Sequence, residues 1–293
     1  MNSTVLQRII QLAAACTLVL GCTACNASES SFFPTAETSK RDQKIMVTLG
    51  DSIAAGFRLE HPEQQRYSAL LTNALTDDTV IWKDYNYAVS GDTTQELLKR
   101  LKDGRAVRLP AADCITVCIG ANYLLGPFSE FLSVYHKAED VSSPVVADAF
   151  DTMLQEIDTG LVQLETDLQL IYDWIRERNE DAPLVFLTVY HPYANQTTPL
   201  RIGEQSIVLA DYGEQQIQRL NDVIRRFANQ NHVSLAEIDV AFAQESTPPI
   251  FGAVSNASAL SVDPHPNEKG QQIIADTLQS LLLQQTADSE SSS

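Results

Sequence analysis

Positive charge is scarce in this chain: 20 Lys and Arg stand against 38 Asp and Glu, a net charge of −18 over 293 residues. A field of that sign disfavours nucleic acid and anionic surfaces as partners and favours solubility outside a cell. Cysteine is scarce as well, five residues in all. Only Cys114 and Cys118, in "DCITVCIG", fall in folded sequence. Four apart on a strand, at about 3.3 Å per residue, they lie about 13 Å from each other, too far to bridge, so buried free thiols are expected rather than a disulfide framework. Long apolar runs are missing too: "IIQLAAACTLVL" (9–20) is short for a hydrocarbon core of about 30 Å. There is no G-x-S-x-G elbow, no glycine loop ending in Lys-Ser or Lys-Thr, and no H-E-x-x-H. These absences argue against that nucleophile turn, a phosphate loop and a helical zinc site. His61, His136, His191 and His232 share no ligand spacing, and neither metal nor cofactor is expected.

What is present begins with a segment (1–21) whose one charged side chain is Arg8, read as a signal peptide. It ends in "VLGC" (19–22), a pattern resembling a bacterial lipobox, which makes Cys22 the candidate lipidated N-terminus. "CTAC" (22–25) offers Cys25, or plain cleavage after Ala24, as the alternative. The expectation is an extracytoplasmic protein held at the cell membrane through a lipid anchor alone, the other reading being secretion. Residues 22–43 are polar and aperiodic, as a flexible tether should be; 285–293 read as a frayed tail. One domain, 44–284, lies between them, expected to act as a monomer.

Five runs read as strands: 44–49, 80–87, 114–119, 184–190 and 233–238. Helical patterns fall between them at 66–75, 93–102, 144–179 and 213–230, with a closing helix at 266–284. In the long one, Met153, Ile157, Leu161, Leu164, Leu168, Ile171 and Ile175 recur at intervals of three and four, one helical face. Alternating strand and helix predict a doubly wound parallel sheet of five strands, with ligands at the carboxyl edge.

The turns that would meet at that edge carry reactive side chains. Ser52 follows the first strand in "LGDS", Gly91 the second in "AVSGDTT", Asn122 the third in "IGANYL", and Asp263 and His265 precede the last helix in "VDPHPNEKG". Taken singly, each has a plain explanation: Ser52 as a helix cap, Gly91 as a turn, Asn122 as a loop residue, His265 as part of a proline-rich helix entry. Together they supply a nucleophile, a base with a reference pKa of about 6.5, an acid to orient it, and donors for an oxyanion from Ser52, Gly91 and Asn122.

In that order Ser52, Gly91, Asn122 and His265 resemble the named residues of the SGNH (GDSL) hydrolase family over roughly 44–284. The resemblance implies a flavodoxin-like three-layer α/β/α sandwich and metal-independent hydrolysis of esters, whose substrates are small molecules, lipids or acylated polymers. Tyr123 stands where that family usually has aspartate, and Asp263 lies two rather than three residues before His265. Hence either Asp263 or a backbone carbonyl supports His265. Tyr123 and His191 are candidate substrate contacts, and 121–143 is either a lid or acyl-binding wall or ordinary core. The rival reading is a binding lipoprotein that kept the fold without turnover.

Overall fold

The computed structural model describes residues 41–252 and 263–291. The expected signal peptide, Cys22, Cys25 and the tether as far as residue 40 lie outside the described residues. Seven strands follow in chain order: β1 (Asp42–Gly50), β2 (Val80–Asn86), β3 (Cys114–Cys118), β4 (Leu184–Leu187), β5 (Pro199–Ile202), β6 (Gln205–Val208) and β7 (Ser234–Ala236). The helices are α1 (Ser52–Ala55), α2 (Pro62–Gln65), α3 (Tyr67–Leu75), α4 (Thr94–Lys102), α5 (Asn122–Lys137), α6 (Pro144–Arg176), α7 (Leu209–Gln230), α8 (Ile238–Phe242) and α9 (Glu268–Ser291).

Five strands form one parallel sheet in the order β2-β1-β3-β4-β7. This is the doubly wound, flavodoxin-like order, whose direction of winding reverses between β1 and β3. β3 and β4 are buried along their whole length, because helices cover both faces of the sheet. α3, α8 and α9 pack together as one layer, and α4, α6 and α7 as the other, with α5 against α6. The seven apolar residues at helical spacing in α6 are all buried. Cys114 and Cys118 are buried free thiols.

The differences from expectation have local causes. β1 starts at Asp42, inside the expected tether, because its backbone pairs with Val80. α9 continues to Ser291 through the expected tail, where Gln285 Nε2 donates to Ser234 Oγ at 2.5 Å and ties the helix to β7. The fourth strand ends at Leu187 rather than 190, since Asn221 from α7 takes both backbone polar groups of Val189, each at 2.8 Å. β5 and β6 form an antiparallel hairpin that the sequence reading did not anticipate, turning at Gly203-Glu204. Among the described residues no helix is long and apolar enough to cross a membrane.

Candidate active site

β1 ends at Gly50, where a Cβ would lie 2.1 Å from the Cys118 carbonyl oxygen, so glycine is what lets β1 and β3 close together here. Asp51 donates its amide to that same carbonyl at 3.1 Å and then caps α1, its Oδ1 accepting from Ile53 N at 3.0 Å. Burial pushes the Asp51 carboxyl up to about 7, against the lowering effect of the amides of Ile53, Ala121 and Gly120.

Ser52 opens α1, a helix of four residues that would not persist alone. Tertiary bonds hold it. Buried Gln271 from α9 donates through Nε2 to Ile53 O at 3.1 Å and accepts from Tyr67 N at 2.8 Å, while Asn86 Nδ2 donates to Ala54 O at 2.8 Å. Ser52 therefore sits on a platform fixed from α9 and β2, with its N–H among the helix-start donors that have no intrahelical partner.

His265 arrives from the far end of the chain. Residues 263–267 are clamped on 249–252 through Gly252 N to Asp263 O and Phe251 N to His265 O, each 3.0 Å, and Asn267 N to Pro249 O at 3.1 Å. This brings His265 Nε2 to 3.0 Å from Ser52 Oγ, and His265 Nδ1 to 2.6 Å from Asp263 Oδ1. A carboxylate only accepts, so Nδ1 carries the hydrogen, and Nε2 of the neutral ring accepts from the serine hydroxyl. The His265 amide also donates to Asp263 Oδ1, at 3.1 Å. That local turn explains why a spacing of two suffices, and it puts a carboxylate rather than a backbone carbonyl beside Nδ1.

Sequence reasoning missed the outer half of this arrangement. Arg58 Nε lies 2.8 Å from Asp263 Oδ2, and the Phe57 ring lies 4.6 Å from the imidazole, centroid to centroid. Burial raises the affinity of Asp263 for a proton, but the His265 bonds and the Arg58 charge outweigh it and hold the carboxyl below its ordinary range. The signal was "GFR" directly after the serine turn.

The expected oxyanion donors lie on adjacent turns, because β2, β1 and β3 are neighbours in the sheet. Gly91 sits in an exposed turn at φ +88°, and its amide donates to no backbone group among the described residues. Asn122, the first residue of α5, donates from Nδ2 to Asp92 O at 2.8 Å, which joins the second turn to the third. Asp92 is buried and paired with Arg100. Asn122 Nδ2 carries a second hydrogen, for which no acceptor is found among the described residues.

The two candidate substrate contacts part company. The Tyr123 hydroxyl turns inward, 2.7 Å from Thr94 Oγ1 and 3.5 Å from Asp167 Oδ2, and its ring packs closely on Gly160. The structure thus gives Tyr123 internal hydrogen bonds. His191 instead lines an apolar pocket that opens beside His265. Its Nε2 is 2.9 Å from Ala210 O, and burial lowers its affinity for a proton. His191 Nδ1 and the Tyr212 hydroxyl, also on the pocket wall, have no hydrogen-bond partner among the described residues. Of segment 121–143, Leu124, Leu125 and Phe128 face the pocket, whereas Phe131 packs in the core against Phe150. Among the described residues no group of three or more His, Cys, Asp or Glu could hold a metal ion.

The fold and these distances define a class: a doubly wound α/β protein with a serine, histidine and aspartate hydrogen-bonded in series at the switch point of its sheet. The chain matches the GDSL-like lipase/acylhydrolase family over residues 48–273 and belongs to that family, which supports ester hydrolysis as its chemistry. It is 24% identical over 275 residues to the uncharacterized protein YpmR of Bacillus subtilis (strain 168), covering 92% of this chain and 93% of that one. Among solved structures it resembles an extracellular lipase from Streptomyces rimosus, at TM-score 0.57 and 19% identity, covering 81% of this chain and 99% of the lipase. It also resembles an acetyl-xylooligosaccharide esterase of Geobacillus, in a mutant form, at TM-score 0.55 and 15% identity, over 82% and 94% of the two chains. A lipase and a sugar deacylase on one fold show that the fold does not choose the substrate.

Proposed function

We propose that this protein is a serine carboxylic ester hydrolase, with Ser52 as nucleophile, His265 as base and Asp263 as the group that orients His265. The observation that carries this reading is the unbroken series Asp263 Oδ1, His265 Nδ1, His265 Nε2, Ser52 Oγ, at 2.6 and 3.0 Å. As Ser52 Oγ attacks the ester carbonyl, its proton passes to His265 Nε2, and Asp263 stabilises the imidazolium through Nδ1. The carbonyl oxygen becomes an oxyanion facing Ser52 N, Gly91 N and Asn122 Nδ2. Collapse of the tetrahedral species expels the alkoxide, which takes the proton from His265 and leaves an acyl-Ser52 ester. Water then repeats the sequence, giving up a proton to His265 while the acid departs and Ser52 Oγ recovers its hydrogen. These steps call on no metal or cofactor.

A fluorophosphonate probe tests the assignment, together with hydrolysis of short-chain nitrophenyl esters. Wild-type protein is expected to turn over the esters and to be labelled on Ser52, and both signals are expected to vanish in Ser52→Ala and His265→Ala. Equal rates in wild type and Ser52→Ala would leave a binding protein on a hydrolase fold.

The reading extends to location. Because "VLGC" places a cysteine after a short apolar segment, the mature enzyme is proposed to be held at the outer side of a cell membrane through lipid on Cys22. It is proposed to act as a monomer, since one chain supplies every group used. Radiolabelled palmitate incorporated by wild type but not by Cys22→Ala supports the anchor, and incorporation retained in that variant removes it.

A further inference from the structure

The pocket beside His265 has a composition that an ester hydrolase site does not require. It holds about 690 Å³ of empty space, its open mouth included, and among the described residues no Asp, Glu, Lys or Arg lines it. Its lining includes Ile53, Ala121 and His265, neighbours of the serine turn and the asparagine turn. α5, α6 and α7 also line it, with Phe128, Met153 and Ile157 among their contributions. Several polar groups on the lining residues are already committed to the protein. The Tyr190 hydroxyl donates to Pro264 O at 2.6 Å, His191 Nε2 meets Ala210 O, and Gln216 Oε1 accepts from Arg219 at 2.8 Å. What the pocket offers a ligand is mostly carbon.

We infer that this pocket binds the acyl chain of the substrate, and that the enzyme acts on esters of medium-length, unbranched fatty acids in preference to acetyl esters. The inference rests on the proposed serine mechanism and adds the substrate class to it. The order of events decides which half of the ester enters. The acyl group stays on Ser52 through both steps and can remain buried, whereas the leaving alcohol must be replaced by water. An apolar pocket filled by the acyl chain is a poor route for that water, so the alcohol side faces solvent. Each methylene withdrawn from water contributes roughly a factor of four in affinity. An octanoyl chain, six methylenes longer than acetyl, therefore has a large advantage where the pocket accepts it.

The test compares nitrophenyl acetate with nitrophenyl octanoate, which share a leaving group. Wild-type kcat/KM is expected to favour octanoate at least tenfold. Ile157→Phe and Leu125→Trp, which place rings at two lining positions on different helices, are each expected to lower the octanoate-to-acetate ratio at least tenfold. A thermal melt checks that both variants are folded. Octanoate is also expected to bind the Ser52→Ala protein in calorimetry and to lose affinity when Ile157→Phe is added. Turnover of acetate with no octanoate preference, or an unchanged ratio in both folded variants, overturns the acyl pocket and leaves the hydrolase reading standing. No turnover of either ester overturns both. Preference for octyl acetate over octanoate esters would assign the pocket to the alcohol.

Discussion

Arg58 Nε lies 2.8 Å from Asp263 Oδ2, on the side of the carboxylate away from His265. Both oxygens of Asp263 are thus occupied, one by the imidazole and one by a guanidinium. Arg58 adopts φ +75°, an uncommon backbone conformation for a non-glycine residue, in the turn that follows α1.

Arg58 is expected to act as a positioning residue. Arg58→Ala lets the Asp263 carboxyl rise toward its ordinary range, so the acid-side loss of kcat should begin at higher pH, and Arg58→Lys should restore part of the difference. Because the arginine side chain is more than half exposed, screening limits the loss at neutral pH to roughly three- to tenfold, smaller at high salt. A pH–rate profile at two ionic strengths measures both effects.

In the proposed mechanism Asn122 offers a donor to an oxygen that bears charge only in the transition state. Asn122→Ala should lower kcat by about 10² to 10³ with little change in KM. Steady-state kinetics on one nitrophenyl ester decide this, and a rise in KM at constant kcat would reassign the side chain to ground-state binding.

Tyr123 spends its hydroxyl on Thr94 and Asp167. Tyr123→Phe should lower stability by about 1 kcal/mol and leave KM unchanged. Urea denaturation and kinetics on the same preparation separate this outcome from substrate contact.

Asp51 is fully buried, and its carboxyl is raised to about 7 in the folded protein from about 3.9 in an unfolded chain. The folded state therefore holds this proton more tightly. Its contribution is complete below about pH 3.9 and is lost as pH rises through about 7, by at most about 4 kcal/mol. Asp263, held below its ordinary range, acts with the opposite sign in acid, losing its contribution as pH falls. In the wild-type-minus-Asp51→Asn difference the Asp263 effect cancels, so the decline between pH 4 and pH 7 should appear in that difference. Denaturant midpoints across that range supply the measurement.

Much of the fold was legible because the signals are local. Strands covered on both faces write continuous apolar runs, as in β3 and β4, and α6 writes seven apolar residues on one helical face. The β5–β6 hairpin went unread because Leu200 and Ile202 alternate over only four residues around Arg201. The end of β4 went unread because Asn221, far along the chain, intercepts the backbone of Val189.

At the site, the residue types and their order were determined by the sequence. Turn residues must follow strands, and a parallel sheet brings every strand's carboxyl end to one edge. The fold class and the candidates Ser52, Gly91, Asn122, Asp263 and His265 follow from that rule, together with the family resemblance. Tertiary structure alone decided the rest. It placed Asp263 rather than a carbonyl at His265, supplied Arg58 and Phe57, and anchored a four-residue helix through Gln271, which is 204 positions from Tyr67. It also turned Tyr123 inward and gathered the walls of an apolar pocket from three helices. The physical reason is one of range. Periodicity and turn chemistry act over a few residues and leave a mark in the string, whereas hydrogen bonds and contacts between distant elements exist only once the chain has closed on itself.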